Sequence, residues 1–270
     1  MTDESAVVTH VSTSGVSTAS SARPRHAWLP HQHGAWAMLA VPLMIGVAVS
    51  RPAPGHLLLA ATAVAGYLAS ATGQAWLRAR RRDALARPLA VYLGTLAVLG
   101  LGLVIAWPAL LAGAVILIPT SALVVAGARP GTRRDLVNSL AQAAQALVLV
   151  PSAAEVAGAF EPARVAVATL IAGAYLGSTV LVVRSMLRER DNTAFARAST
   201  GYHLALIVAG ILLGPAWVIL AVGLAVRAAA LPVIGRRRAA AGRALKPVHL
   251  GTVEMVAAVA VVLVAFLAAP

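Results

Sequence analysis

Nine apolar stretches, parted by short polar connections, constrain this chain more than any other feature. They run over 34–50, 56–77, 89–106, 109–127, 136–152, 165–187, 201–213, 216–234 and 249–268. Most are long enough to cross about 30 Å of hydrocarbon as helices rising about 1.5 Å per residue. A chain that is 60% hydrophobic and 11% charged cannot hide that surface in a core of its own, because a soluble domain carries about 25% charged residues. The expected fold is all-α, a polytopic transmembrane helix bundle of about nine spans. Trp107-Pro108 and Gly214-Pro215 read as tight turns between spans three and four and between spans seven and eight, and the seventh run is short.

The basic residues give the bundle a direction. Arg23 and Arg25 precede span one; Arg78, Arg80, Arg81, Arg82 and Arg87 follow span two; Arg129, Arg133 and Arg134 follow span four. Arg184, Arg188, Arg190 and Arg197 follow span six, and Arg236, Arg237, Arg238, Arg243 and Lys246 follow span eight. That places 19 on one side against Arg51 and Arg164 on the other, with Arg227 inside span eight. Cytoplasmic loops carry such an excess, so the reading is a bacterial inner-membrane protein with its N-terminus in the cytoplasm and its C-terminus outside. Basic residues lying at the ends of apolar runs also argue against nucleic acid as a partner, which needs a basic patch on a soluble surface.

Residues 1–30, rich in Ser and Thr near the start and without an apolar core, read as a disordered cytoplasmic tail, and 31–270 as the transmembrane domain. The long basic loops after spans two and six divide the domain into two four-helix halves, 34–127 and 136–234, with a ninth helix appended. The absence of cysteine excludes disulfides, thiolate metal sites and cysteine nucleophiles.

Polar residues within spans need a reason, because lipid does not solvate them. Gln74 and Arg78 share one face of span two; Asn138, Gln142 and Gln145 form a stripe on span five; Arg184 and Arg188 stand at the end of span six. Such amides act as interhelical glue or line a cavity. Arginines inside the last helical turn suit a phosphate or carboxylate head group. The candidate binding residues are therefore Gln74, Arg78, Asn138, Gln142, Arg184 and Arg188. His33, Trp36, Glu189, Tyr202 and His203 are expected at the rim of that cavity. His31, His33, His203 and His249 all open spans on the cytoplasmic side, a position suited to hydrogen bonding rather than to a metal or haem. Glu254, the one carboxylate inside an apolar run, is expected to pair with Arg227.

The runs His31-Gln32-His33-Gly34-Ala35-Trp36-Ala37-Met38, Arg184-Ser185-Met186-Leu187-Arg188-Glu189-Arg190 and Gly201-Tyr202-His203 resemble the YwiC-like family of bacterial membrane proteins. Nine helices with polar loops after spans two and six, and Arg87-Pro88-Leu89 entering span three, are similar in layout to the UbiA superfamily of intramembrane prenyltransferases. That second resemblance implies two Asp-rich loops holding Mg²⁺ on an isoprenyl diphosphate. Here the stretch from Gln74 to Arg82 has no carboxylate, Asp83 follows alone, and Glu189 and Asp191 alternate with Arg188 and Arg190. The pattern argues against Mg²⁺ chemistry and names no catalytic residue. The reading is a cytoplasm-facing cavity that binds an anionic, isoprenoid or quinone-like lipid. Its rivals are a secondary transporter dependent on Glu254, a subunit that assembles a membrane complex, and a divergent prenyl or lipid transferase.

Overall fold

The computed structural model describes Trp28 and residues 33–79, 82–129, 136–242 and 247–268. The expected tail, apart from Trp28, lies outside the described residues, as do Arg80, Arg81, Arg133, Arg134, Arg243 and Lys246 and the side chains of His33 and His249. Every described element is helical. The order is α1 (His33–Val49), α2 (Gly55–Arg78), α3 (Asp83–Ala106), a 3₁₀ turn (Pro108–Gly113) entering α4 (Ala114–Ala126), then α5 (Leu136–Leu147) and α6 (Leu149–Val156). The second part of the chain forms α7 (Pro162–Leu187), α8 (Thr193–Leu213), α9 (Pro215–Ala240) and α10 (Pro247–Ala268).

Among the described residues seven helical segments are long and apolar enough to cross a membrane, with α5 and α6 acting as one segment and the 3₁₀ turn with α4 as another. Two shorter apolar helices, Trp36–Val49 and Gly251–Leu267, complete the set. These segments fall where the apolar runs place them. The seventh departs furthest, because α8 begins eight residues before 201. Asn192 caps it, its side chain accepting a hydrogen bond from the Phe195 amide at 3.0 Å, which satisfies a donor that the first turn leaves free. The turn at Gly214-Pro215 forms and brings α8 and α9 together, whereas at Trp107-Pro108 the chain passes straight into the 3₁₀ turn. Gly214 adopts φ 113°, which a side chain would oppose, and Pro215 supplies the preset first residue of α9.

The core is built around α7. Ile171, Ala172, Tyr175 and Leu176 pack against Ile45 of α1, Ala146 of α5, Leu220 and Leu224 of α9 and Val261 of α10. Small residues let these helices approach closely, as membrane bundles require. A Cβ on Gly46 would lie 2.7 Å from the Ala153 Cβ and 2.9 Å from the Val150 carbonyl oxygen, so α1 and α6 cross almost backbone to backbone. Packing also crosses the boundary between the two four-helix groups: α1 lies mainly on α6, α7 and α10, and α4 on α5. By contrast α3 and α4 keep most of their surface outward, with Val98, Leu101, Ile105, Val115 and Ile118 all exposed. That is the arrangement expected of helices whose solvent is hydrocarbon.

Candidate functional site

Four helices each contribute one polar side chain to a chain of contacts inside the bundle. Ser178 comes from α7, His203 from α8, Arg227 from α9 and Glu254 from α10, and all four are buried. The Arg227 Nη1 donates to the Glu254 Oε2 at 2.7 Å, and its Nη2 donates to the Ser178 Oγ at 2.8 Å. His203 Nδ1 lies 2.7 Å from the Ser199 carbonyl oxygen, which can only accept. That nitrogen therefore carries a proton, and Nε2 lies 2.7 Å from the Ser178 hydroxyl, from which it accepts in the neutral tautomer. Thr179 donates to the same Glu254 oxygen at 3.0 Å, and the Tyr175 hydroxyl donates to the Glu254 backbone carbonyl at 3.3 Å. One cation, one anion and neutral partners thus sum to no net charge, the condition under which ionised groups persist at membrane depth. The network still leaves two atoms unmatched: Arg227 Nε and Glu254 Oε1 are buried with no hydrogen-bond partner among the described residues.

Beside this network, α9 and α10 part to form a crevice of about 420 Å³. Ile219, Gly223 and Leu224 line one wall, Val256, Ala260 and Val264 the other, and Arg227 and Thr252 the polar end. The two helices run antiparallel, so residues 219 and 264 lie together at the far end. From Thr252 to Val264 the wall is roughly 18 Å long at about 1.5 Å per residue. The volume falls within the range of about 300–1,000 Å³ typical of small-molecule sites.

The residues singled out from the sequence take varied places. Arg78 Nη2 donates to the Gly127 carbonyl at 2.9 Å, close to the end of α4. The same glycine meets Asn138, whose Oδ1 would lie 3.2 Å from a Cβ there, so Arg78 and Asn138 come together at one point. Gln74 bonds Ser70 within its own helix at 3.3 Å, Gln145 crosses to Ser121 at 2.9 Å, and Gln142 is half-buried. Arg184 is buried, pairs with Glu189 at 3.2 Å and stands 5.9 Å from the Phe195 ring, whereas Arg188 is exposed. Asn192, first, and then Arg184 hydrogen-bond the Glu189 carboxylate and hold its pKa below the ordinary value. Trp36 is exposed and meets Tyr67 edge to face at 5.3 Å.

His203 is corrected. Expected at the rim, it is 2% exposed and lies ten residues inside α8, because that helix starts earlier than the apolar run suggests. Tyr202 follows it inward, its hydroxyl donating to the Ala174 carbonyl at 2.8 Å across the gap left by Gly177. The Arg227–Glu254 pair forms as expected. Tyr175, Thr179, Thr252 and Gly223 escaped notice; the signal available was the run Gly177-Ser178-Thr179, small and polar within an apolar helix.

These features define a multi-pass, membrane-type helical bundle with a buried polar network. Residues 29–154 match the family model described as YwiC-like protein, which covers α1 almost to the end of α6. The chain is also 29% identical over 205 residues to the uncharacterized protein YwiC of Bacillus subtilis (strain 168), an alignment covering 72% of this chain and 82% of that protein. The YwiC-like resemblance read from the sequence is borne out. No solved structure matches the chain significantly.

Proposed function

We propose that this protein binds a hydrophobic molecule with a polar head from within the bilayer, and that the crevice between α9 and α10 holds it. One observation carries the reading: an elongated apolar groove between two helices ends at a polar pole formed by Arg227 and Thr252. Arginine carries five N–H donors, and the contacts with Glu254 and Ser178 use two of them, so the polar end has donors to offer a head group. Sequence reasoning placed an anionic or isoprenoid-type lipid at Arg78 and Arg184. The guanidinium contacts described for those two residues, with the Gly127 carbonyl and with Glu189, favour a role in fastening helix ends. In this reading the chain is a UbiA-like bundle without the Mg²⁺–diphosphate site, seated in the inner membrane with its N-terminus cytoplasmic and its C-terminus outside. Transport through Glu254 draws less support, because Thr179 and Arg227 already hold that carboxylate in place.

The test is mass spectrometry of lipids retained through purification in mild detergent. A Cβ at Gly223 meets open space, so Gly223→Leu fills the crevice without a backbone clash, and Gly94→Leu on α3 is the matched control. A species enriched in wild type and control but lost from Gly223→Leu supports the reading. Identical lipid profiles in all three proteins refute it.

A further inference from the structure

Taking the crevice as the binding site, we infer that its ligand is a neutral lipid whose head is a hydrogen-bond-accepting carbonyl, of the quinone kind, and not a phosphate or diphosphate. Two independent observations select this chemistry. The first is charge. Arg227 is already neutralised by Glu254 at 2.7 Å, and with His203 in its neutral form the cluster carries no net charge. A phosphate seated there would bring net negative charge into the apolar interior with no cation left to answer it, and such a charge is costly to bury. A carbonyl oxygen accepting from the polar end of the crevice, where Arg227 and Thr252 line it, would add no charge.

The second observation is depth. Arg227 precedes the Arg236–Arg238 cluster, which ends α9 on its basic side, by nine residues. At about 1.5 Å per residue the guanidinium lies roughly 13 Å deeper than that charged edge. The head group of an ordinary phospholipid stays at the interface and would have to be drawn through that distance of hydrocarbon. A neutral ring carbonyl on an aliphatic tail reaches it by diffusion within the membrane. The crevice also has the matching shape, with Arg227 and Thr252 at one end and only aliphatic or glycine residues beyond them.

The experiment measures binding to the purified full chain in nanodiscs, using three probes with short tails: a decyl benzoquinone, decyl phosphate and dioctanoylglycerol. The quinone is expected to bind, to lose at least tenfold in affinity with Gly223→Leu, and to lose a similar factor with Arg227→Lys. The lysine variant keeps a cation opposite Glu254 and removes the planar guanidinium with its several donors; its thermal unfolding profile reports whether the fold is kept. If Arg227→Lys fails to fold, the Gly223→Leu arm and the ranking of the probes decide. Preferential binding of dioctanoylglycerol in the same Gly223-dependent way keeps the carbonyl chemistry and assigns its source to a glycerolipid ester. Preferential, Gly223-dependent binding of decyl phosphate overturns the neutral-head inference and leaves the crevice standing. Binding of no probe in a Gly223-dependent way overturns the crevice itself, and this inference with it.

Discussion

Arg227 of α9 and Glu254 of α10 meet through a single contact, Nη1 to Oε2 at 2.7 Å, with side chains 6% and 9% exposed. The geometry is not the two-pronged fork that arginine and carboxylate can form. Ser178 takes the other terminal nitrogen, and Thr179 and Arg227 converge on one carboxylate oxygen, so the pair is shared among three helices. It therefore joins α7, α9 and α10 around their common core.

Breaking that pair on one side should cost more than removing it. Glu254→Gln leaves a buried guanidinium without its counter-charge, and such losses run to about 3–5 kcal/mol. The double variant Arg227→Met/Glu254→Leu removes both charges, and its thermal midpoint in detergent should lie closer to wild type than that of Glu254→Gln. A double variant at least as unstable as the single one would show that the network, and not the charge balance, carries the stability.

The α1–α6 crossing gives a direct test of packing, because a Cβ on Gly46 would meet backbone. Gly46→Val should destabilise the bundle by about 1–3 kcal/mol or more, because the Val150 carbonyl oxygen and the Ala153 Cβ have little freedom to retreat. Gly100→Val on α3 meets nothing within 4 Å and should leave the thermal midpoint nearly unchanged. Equal behaviour of the two variants would contradict the close crossing.

The all-helical, membrane-type fold was legible because lipid imposes one solution on a backbone, a helix of given length, and apolar runs record that length directly. The lone charges Arg227 and Glu254 were legible as a pair for the same reason. What failed was the start of α8. Thr193, Arg197, Ser199 and Thr200 lower the hydropathy of its first turns, and the Asn192 cap that opens it went unread. One misplaced boundary then put His203 at the rim when it lies well inside the helix. The bond between Ser178 and His203, and the opening between α9 and α10, depend on how helices rotate against one another. Side-chain volumes across several helices set those rotations, and no local pattern reports them.

At the link between α7 and α8, Glu189 gives a pH-dependent signal. Asn192 and Arg184 hold its folded-state pKa below the unfolded value, so its contribution is present above an unfolded pKa of about 4.3 and is lost as pH falls through the folded value. Hydrogen exchange in residues 188–195 should therefore be faster in Glu189→Gln than in wild type at pH 7. The two should converge at a pH below the folded pKa. A difference that persists at acid pH would point to the shape of the side chain instead of its charge.

The orientation can be read directly, since the sequence contains no cysteine and any introduced thiol is the sole target. Asp83, Glu161 and Arg188 are exposed and lie in or beside the links that follow spans two, five and six. With the arginine-rich ends in the cytoplasm, a membrane-impermeant maleimide applied to intact cells or spheroplasts should label Glu161→Cys and spare Asp83→Cys and Arg188→Cys. After lysis all three should react. The reverse pattern would invert the protein, against a charge bias that normally decides orientation. Labelling of Asp83→Cys and Arg188→Cys from opposite sides would mean that the segments between them are odd in number, and would break the span plan itself.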